Sequence, residues 1–99
     1  MKEKETATTA SKQSKNERIE KFLRERYEFR FNTVKSRTEF RERKDEASFS
    51  PLSKFDVNSM RRLLDAQIGI TTSADNIRYL IYNLVLTQHV IYFFLLFLK

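Results

Sequence analysis

The chain has no cysteine, no tryptophan, one histidine, one glycine and one proline in 99 residues. Without cysteine it has neither a disulfide framework nor a thiolate nucleophile. The single histidine, His89, lies in an apolar run, which leaves few side chains for a metal site or a histidine-based triad. The single glycine excludes a glycine-rich phosphate loop, and no GxxxxGK[ST] motif occurs. These absences predict a protein that is not an enzyme and needs no metal or cofactor.

Charge is distributed unevenly along the chain, whose formal net charge is +6. Residues 1–62 contain 17 lysines or arginines and 11 acidic residues, whereas residues 63–99 contain two of each. A basic first part followed by a neutral, apolar end predicts an anionic partner for the first part. Glutamates alternate with the arginines, so the charge is only moderate support for binding to nucleic acid.

The first 14 residues are polar and contain no aromatic residue and, after Met1, no aliphatic residue larger than alanine. Such a segment cannot bury enough apolar surface to offset its chain entropy, so we expect a disordered polar tail. It lacks the apolar core of a secretory signal, and we therefore expect a cytoplasmic protein. Ser14 and Glu17 fit a capping box, which predicts a first helix from about Lys15 to Arg26.

Alternation of aromatic and charged residues between Tyr27 and Arg43 predicts a β-hairpin. In the runs YEFRFNT and TEFRER, aromatic residues and threonines occupy every second position, and the positions between them are mostly charged. A period of two gives each strand an aromatic face and a charged face. The expected turn runs from Val34 to Arg37, and because it lacks glycine we expect it to be longer than a two-residue loop.

The charged face of this hairpin is the first candidate binding surface. Arg30, Arg41 and Arg43 are expected together on the outside of the strands, with Lys35 and Arg37 at the turn. Arginines over an aromatic layer suit a surface that contacts phosphate groups. An aromatic half-core beneath an ordinary solvated face is the alternative interpretation.

Two further helices follow a loop at residues 45–55. Asp56 or Asn58 is expected to cap a second helix that ends at Gly69, and Thr72 or Ser73 to cap a third. The short link between them, about residues 69–72, has the length and composition of a helix-turn-helix, although αα-hairpins that bind nothing share the pattern. We therefore expect an α+β fold: a helix, an antiparallel hairpin, and a helix-turn-helix-like pair.

Three sequence blocks resemble one family. RYEFRFNTVKSRTEFR, FSPLSKFDVNSMRRLLD and IGITTSADNIRYLI resemble the N-terminal region of virulence-associated E proteins of bacterial mobile elements, at positions Tyr27, Arg30, Asn32, Glu39, Phe40, Arg41, Asn58, Ser59, Arg61 and Arg62. The resemblance covers about residues 15–82. It implies an accessory domain that precedes a P-loop NTPase of primase–helicase type, of which this chain contains none.

The resemblance ends at about Ile81, where the composition becomes apolar. A truncated gene or a change of reading frame would produce such a break, so we expect residues 83–99 to be an apolar tail of a fragment that packs on the domain or self-associates. Tyr79–Leu98 is twenty residues without a formal charge, which is the length of a membrane span. A tail-anchored protein with a cytoplasmic N-terminal domain is therefore an alternative, although Gln88 and His89 near the middle make insertion marginal.

These observations lead to two functional hypotheses. The first is a DNA-binding accessory module for replication or mobilisation of a mobile element, in which the hairpin cations and Arg61 and Arg62 of the second helix contact the phosphate backbone. The second is a protein–protein docking domain for a helicase or primase partner, in which the arginines are solubilising charge.

Overall fold

The computed structural model describes the backbone of residues 2–46 and 48–98, and the side chains of residues 14–46, 48–88, 90–91 and 94–98. Its elements are α1 (Lys2–Arg26), β1 (Tyr27–Asn32), β2 (Arg37–Glu42), β3 (Ser50–Pro51), a 3₁₀ helix (Leu52–Lys54), α2 (Val57–Ile68) and α3 (Ala74–Phe97). The strands form one antiparallel sheet in the order β1-β2-β3. The expected α+β fold, with a helix, a hairpin and then two helices, is confirmed.

Helix α1 is longer than the sequence predicted. It begins at Lys2 rather than at about Lys15, so residues 2–14 are helical where a disordered tail was expected. Lysine, glutamate and alanine are frequent in this segment, and all three have high helix propensity. Ser14 lies inside the helix instead of at its start. The part of α1 that packs on the domain buries Ile19 and Leu23 completely.

The hairpin turn spans residues 33–36, which is four residues as the absence of glycine indicated. The side-chain Oδ1 of Asn32 accepts hydrogen bonds from the backbone N–H groups of Val34 and Lys35, both at 3.0 Å. Ser36 closes the turn in the left-handed region with φ 51°. The turn lies one residue earlier than expected, so Arg37 is the first residue of β2 and not a turn residue.

Aromatic side chains form the inner face of the sheet. The ring of Phe55 contacts those of Tyr27, Phe29 and Phe40, with centroid separations of 5.2, 5.8 and 5.1 Å. Edge-to-face geometry of this kind adds to the gain from apolar burial. Phe31, at the turn end of β1, is 42% exposed.

The caps of α2 and α3 follow the sequence prediction. Asp56 accepts a hydrogen bond from the N–H of Ser59 at 3.0 Å, and Ser73 accepts one from the N–H of Asn76 at 3.0 Å. Gly69 ends α2 with φ 64°, a left-handed conformation that costs a residue without a Cβ very little.

Helix α3 is the central helix of the domain, because it packs against α1, α2 and β1. Its buried side chains recur at helical spacing and end one turn beyond the expected domain boundary; they are Ile77, Leu80, Ile81, Leu84 and Val85.

The apolar tail continues α3 away from the domain. Beyond Val85, its large apolar side chains with described positions are 51% to 85% exposed. They are Leu86, Val90, Ile91, Phe94, Leu95, Leu96, Phe97 and Leu98. These side chains do not pack on the core, although packing of the tail on the domain was one of the two outcomes expected from the sequence. Over the residues that the structure describes, no helix is long and apolar enough to cross a membrane.

Candidate nucleic-acid interface on the outer face of the sheet

The strand register determines what surrounds the predicted arginines. Three cross-strand pairs lie on the outer face, and they are Glu28 with Arg41, Arg30 with Glu39, and Asn32 with Arg37. The alternating pattern had correctly separated the two faces of the hairpin. It had not indicated that a glutamate stands opposite two of the arginines.

Glu39 is a buried carboxylate at the centre of an ion-pair cluster. Its side chain is 1% exposed, although it is on the outer face of the sheet. The Nε atoms of Arg30 and Arg37 donate to it at 3.0 and 2.8 Å, and Nδ2 of Asn32 donates at 3.1 Å. Burial raises the pKa of Glu39, but the hydrogen bonds from Arg37, Asn32 and Arg30 and the charge of Arg37 together lower it to about 2. Arg30 and Arg37 therefore neutralise a carboxylate that has almost no contact with water.

Glu28 forms a second cluster, which is open to solvent. Its side chain is 36% exposed and accepts hydrogen bonds from Nη2 and Nε of Arg41 at 3.1 and 3.3 Å. Nη1 of Arg43 lies 3.8 Å from the same carboxylate oxygen, while its Nε donates to the backbone carbonyl of Arg24 at 2.5 Å. One accessible carboxylate is thus shared by two guanidinium groups, and exposed pairs of this kind contribute only about 0–1 kcal/mol.

Phe49 lies across the outer face between the two clusters. The guanidinium carbons of Arg30 and Arg41 are 3.7 and 4.5 Å from its ring centroid, which is within cation–π range. No pattern in the sequence predicted this ring on the arginine face. Ser50 pairs with Phe40, whose side chain lies on the inner face. Successive side chains of an extended segment alternate between the two faces, so the side chain of Phe49 points outward. A two-residue strand is too short to give a periodic signal in the sequence.

The remaining predicted contacts are not part of either cluster. Lys35 is exposed at the turn of the hairpin. Nε of Arg61 donates to the carbonyl of Thr72 at 3.0 Å and so links α2 to the segment before α3. Arg62 is exposed, and its Nη2 donates to Oγ of Ser59, one turn earlier in α2, at 3.1 Å.

Two arginines that the sequence analysis did not single out also make tertiary links. Nη2 of Arg18 donates to the carbonyl of Ile68 at 3.2 Å, and Nη2 of Arg26 donates to Oε1 of Gln67. Both tie α1 to the last turn of α2, where carbonyl groups lack helical partners. Nothing in the spacing of these residues could have identified their partners 41 and 50 positions away.

No protein-family model matches the chain, and neither a curated protein nor a solved structure matches it. The resemblance to virulence-associated E proteins therefore stays a prediction from three sequence blocks. Within the residues described, no group of three or more His, Cys, Asp or Glu side chains could hold a metal ion.

Proposed function

We propose that this chain is a non-catalytic nucleic-acid-binding module whose outer sheet face contacts DNA phosphates through Arg41 and Arg43. One observation carries the proposal: both guanidinium groups share the half-exposed carboxylate of Glu28. Because that pairing is weak in water, a phosphate group that offers several acceptor oxygens can take the place of Glu28. Lys35, exposed at the far end of the hairpin, extends the same basic surface.

The arginines that bond Glu39 do not contact DNA in this proposal. Arg30 and Arg37 stay with Glu39, because a buried carboxylate that loses its partners is strongly destabilising. They act as positioning residues that hold the outer face in register. Four arginines against the two glutamates Glu28 and Glu39 leave this face with a positive excess.

Contacts of this kind provide affinity without sequence readout. Phosphate contacts fix the position of a protein on the duplex, whereas specificity requires contacts with base edges. The module would serve as the accessory, DNA-holding part of a replication or mobilisation protein, as the family resemblance implies. We therefore expect affinity to fall steeply as salt rises from about 50 to 200 mM, by release of counterions.

A charge-matched pair of variants tests the site. Arg41→Ser/Arg43→Ser removes two cations at Glu28, and Lys21→Ser/Lys54→Ser removes two exposed cations elsewhere. By fluorescence anisotropy with a labelled oligonucleotide, we expect the first variant to lose about tenfold or more in affinity. Its log–log salt slope should be lower by about 1.8, since each phosphate contact contributes about 0.9. Equal losses for both variants, or no binding by the native chain at low salt, would contradict the proposal.

A second candidate is the docking domain for a helicase partner. It is favoured by the internal bonds of Arg30, Arg37 and Arg61, since these cations already have structural partners. Arg41→Ser/Arg43→Ser separates the two functions, because it leaves the ion pairs of Glu39 in place. Unchanged DNA affinity with binding of a helicase partner retained would favour docking, whereas loss of DNA binding with the fold intact would favour the first proposal.

A further inference from the structure

Helix α3 has a second apolar stripe, on the face opposite the one that it buries. At 100° per residue, six large apolar side chains with described positions fall within about 60° of a common line, together with Asn83, and the buried side chains lie on the other side of the helix. The stripe consists of Tyr79, Tyr82, Leu86, Val90, Phe94 and Phe97, which are between 52% and 85% exposed. It starts on the domain itself and continues along the projecting end of the helix.

The amount of exposed apolar surface is too large for an isolated soluble chain. The six side chains of the stripe are each more than half exposed. Aromatic side chains bury about 150–250 Å² each when covered completely, so the stripe, with four aromatic and two aliphatic side chains, presents roughly 700 Å². Monomers rarely expose contiguous apolar patches above about 300–600 Å², whereas a stable interface buries about 800 Å² on each partner.

The stripe is symmetric about its own midpoint. Its successive spacings are 3, 4, 4, 4 and 3 residues, with aromatic residues at both ends and Leu86 and Val90 in the middle. A two-fold symmetric interface requires a patch that is complementary to itself. When the helix is turned end for end about residue 88, every position of the stripe meets another position of the stripe: Tyr79 meets Phe97, Tyr82 meets Phe94, and Leu86 meets Val90.

We propose that the chain forms a two-fold symmetric dimer in which the α3 stripes of two copies pack antiparallel. From Tyr79 to Leu98 there is no Lys, Arg, Asp or Glu, so the paired segments bring no like charges together. The positive excess lies in residues 1–62. Antiparallel packing places the basic parts of the two copies at opposite ends of the helix pair. It also sets the two helix dipoles in opposite directions, so that the positive end of each helix lies beside the negative end of the other. A parallel pair would place both basic parts side by side.

Sedimentation equilibrium of the full chain tests the dimer. Leu86→Glu/Val90→Glu places four charges at the centre of the interface, and we expect the dissociation constant to rise about 100-fold or more. The control Gln88→Glu/Leu95→Glu adds the same charge on the opposite face of α3, where we expect less than about a fivefold change. A native chain that is monomeric at all concentrations, assembles without limit, or responds equally to both variants would overturn the proposal.

Cysteine cross-linking tests the orientation, because the native chain has no cysteine. Under mild oxidation, an equimolar mixture of Tyr79→Cys and Phe97→Cys should form the mixed disulfide, and each variant alone should remain mostly uncross-linked. Cross-linking of each variant with itself would show a parallel pair. Flotation of a monomeric chain with phosphatidylcholine vesicles would show that lipid covers the stripe, and either result would overturn the proposal.

Discussion

The two glutamates on the outer face of the sheet differ in burial, and this difference separates the arginines that bond a buried carboxylate from those that bond a partly exposed one. Glu39 is 1% exposed and bonded by Arg30, Asn32 and Arg37, whereas Glu28 is 36% exposed and shared by Arg41 and Arg43. Each cluster contains one glutamate and two arginines, and Asn32 adds a further hydrogen bond only to Glu39. A basic face in a sequence therefore does not specify how many of its cations can reach a ligand.

Removal of an aromatic side chain beneath both clusters should have the largest effect on stability. Phe29 is 4% exposed and contacts Phe55 in the aromatic layer beneath both clusters. Phe29→Ala should lower the free energy of unfolding by about 3–5 kcal/mol, measured by urea denaturation. A loss below about 1 kcal/mol would show that the aromatic inner face of the sheet contributes little to the stability of the fold that carries both clusters.

Replacement of each glutamate by glutamine should have the next largest effect on stability, and the two replacements should differ. Glu39→Gln removes a buried carboxylate that Arg30 and Arg37 both bond and should lower the melting temperature clearly. Glu28→Gln should change stability by no more than about 1 kcal/mol, because its pairs are exposed. Equal thermal shifts in the two variants would remove the distinction between a buried and an open cluster.

The pH dependence of stability should reveal the same distinction. The folded-state pKa of Glu39, about 2, is below its ordinary value of 4.5. The ionised carboxylate therefore stabilises the fold fully above about pH 4.5, and this contribution is lost as pH falls towards 2. Denaturation of the native chain and Glu39→Gln between pH 7 and 2 should show a stability difference that shrinks over this window. A difference that stays constant would contradict the buried ion pairs.

The smallest expected effect separates two neighbouring arginines of α2. Arg61→Ser breaks a hydrogen bond to the carbonyl of Thr72 and should cost about 1 kcal/mol. Arg62→Ser breaks only a bond to Ser59 within the same helix and should change stability by less than about 0.5 kcal/mol. The reverse order in thermal denaturation would show that the link from α2 to α3 contributes nothing.

Local signals in the sequence predicted much of the fold. A period of two separated the faces of the hairpin, and side chains that can cap a helix placed the starts of α2 and α3 to within two residues, at Asp56 or Asn58 and at Thr72 or Ser73. The structure shows the caps to be Asp56 and Ser73. Gly69 located the end of α2 because it adopts the left-handed conformation there. Each of these features depends on residues only a few positions apart.

The features that the sequence could not predict depend on distant partners. The hydrogen bonds of Glu39 follow from strand register, and the position of Phe49 follows from a strand of two residues. The internal role of Arg61 depends on the turn that brings Thr72 within reach. The charged face of the hairpin could therefore be predicted, but not which of its arginines bond to a buried carboxylate and which to a partly exposed one.

The most direct test of this division is the DNA affinity of Glu28→Gln. The substitution removes the carboxylate that competes with phosphate for Arg41 and Arg43, so binding at about 50 mM salt should become tighter by about three- to tenfold. Glu17→Gln, at an exposed position on α1, makes the same change of charge and should alter affinity by less than twofold. Unchanged or weaker binding by Glu28→Gln, or an equal gain in Glu17→Gln, would contradict the account.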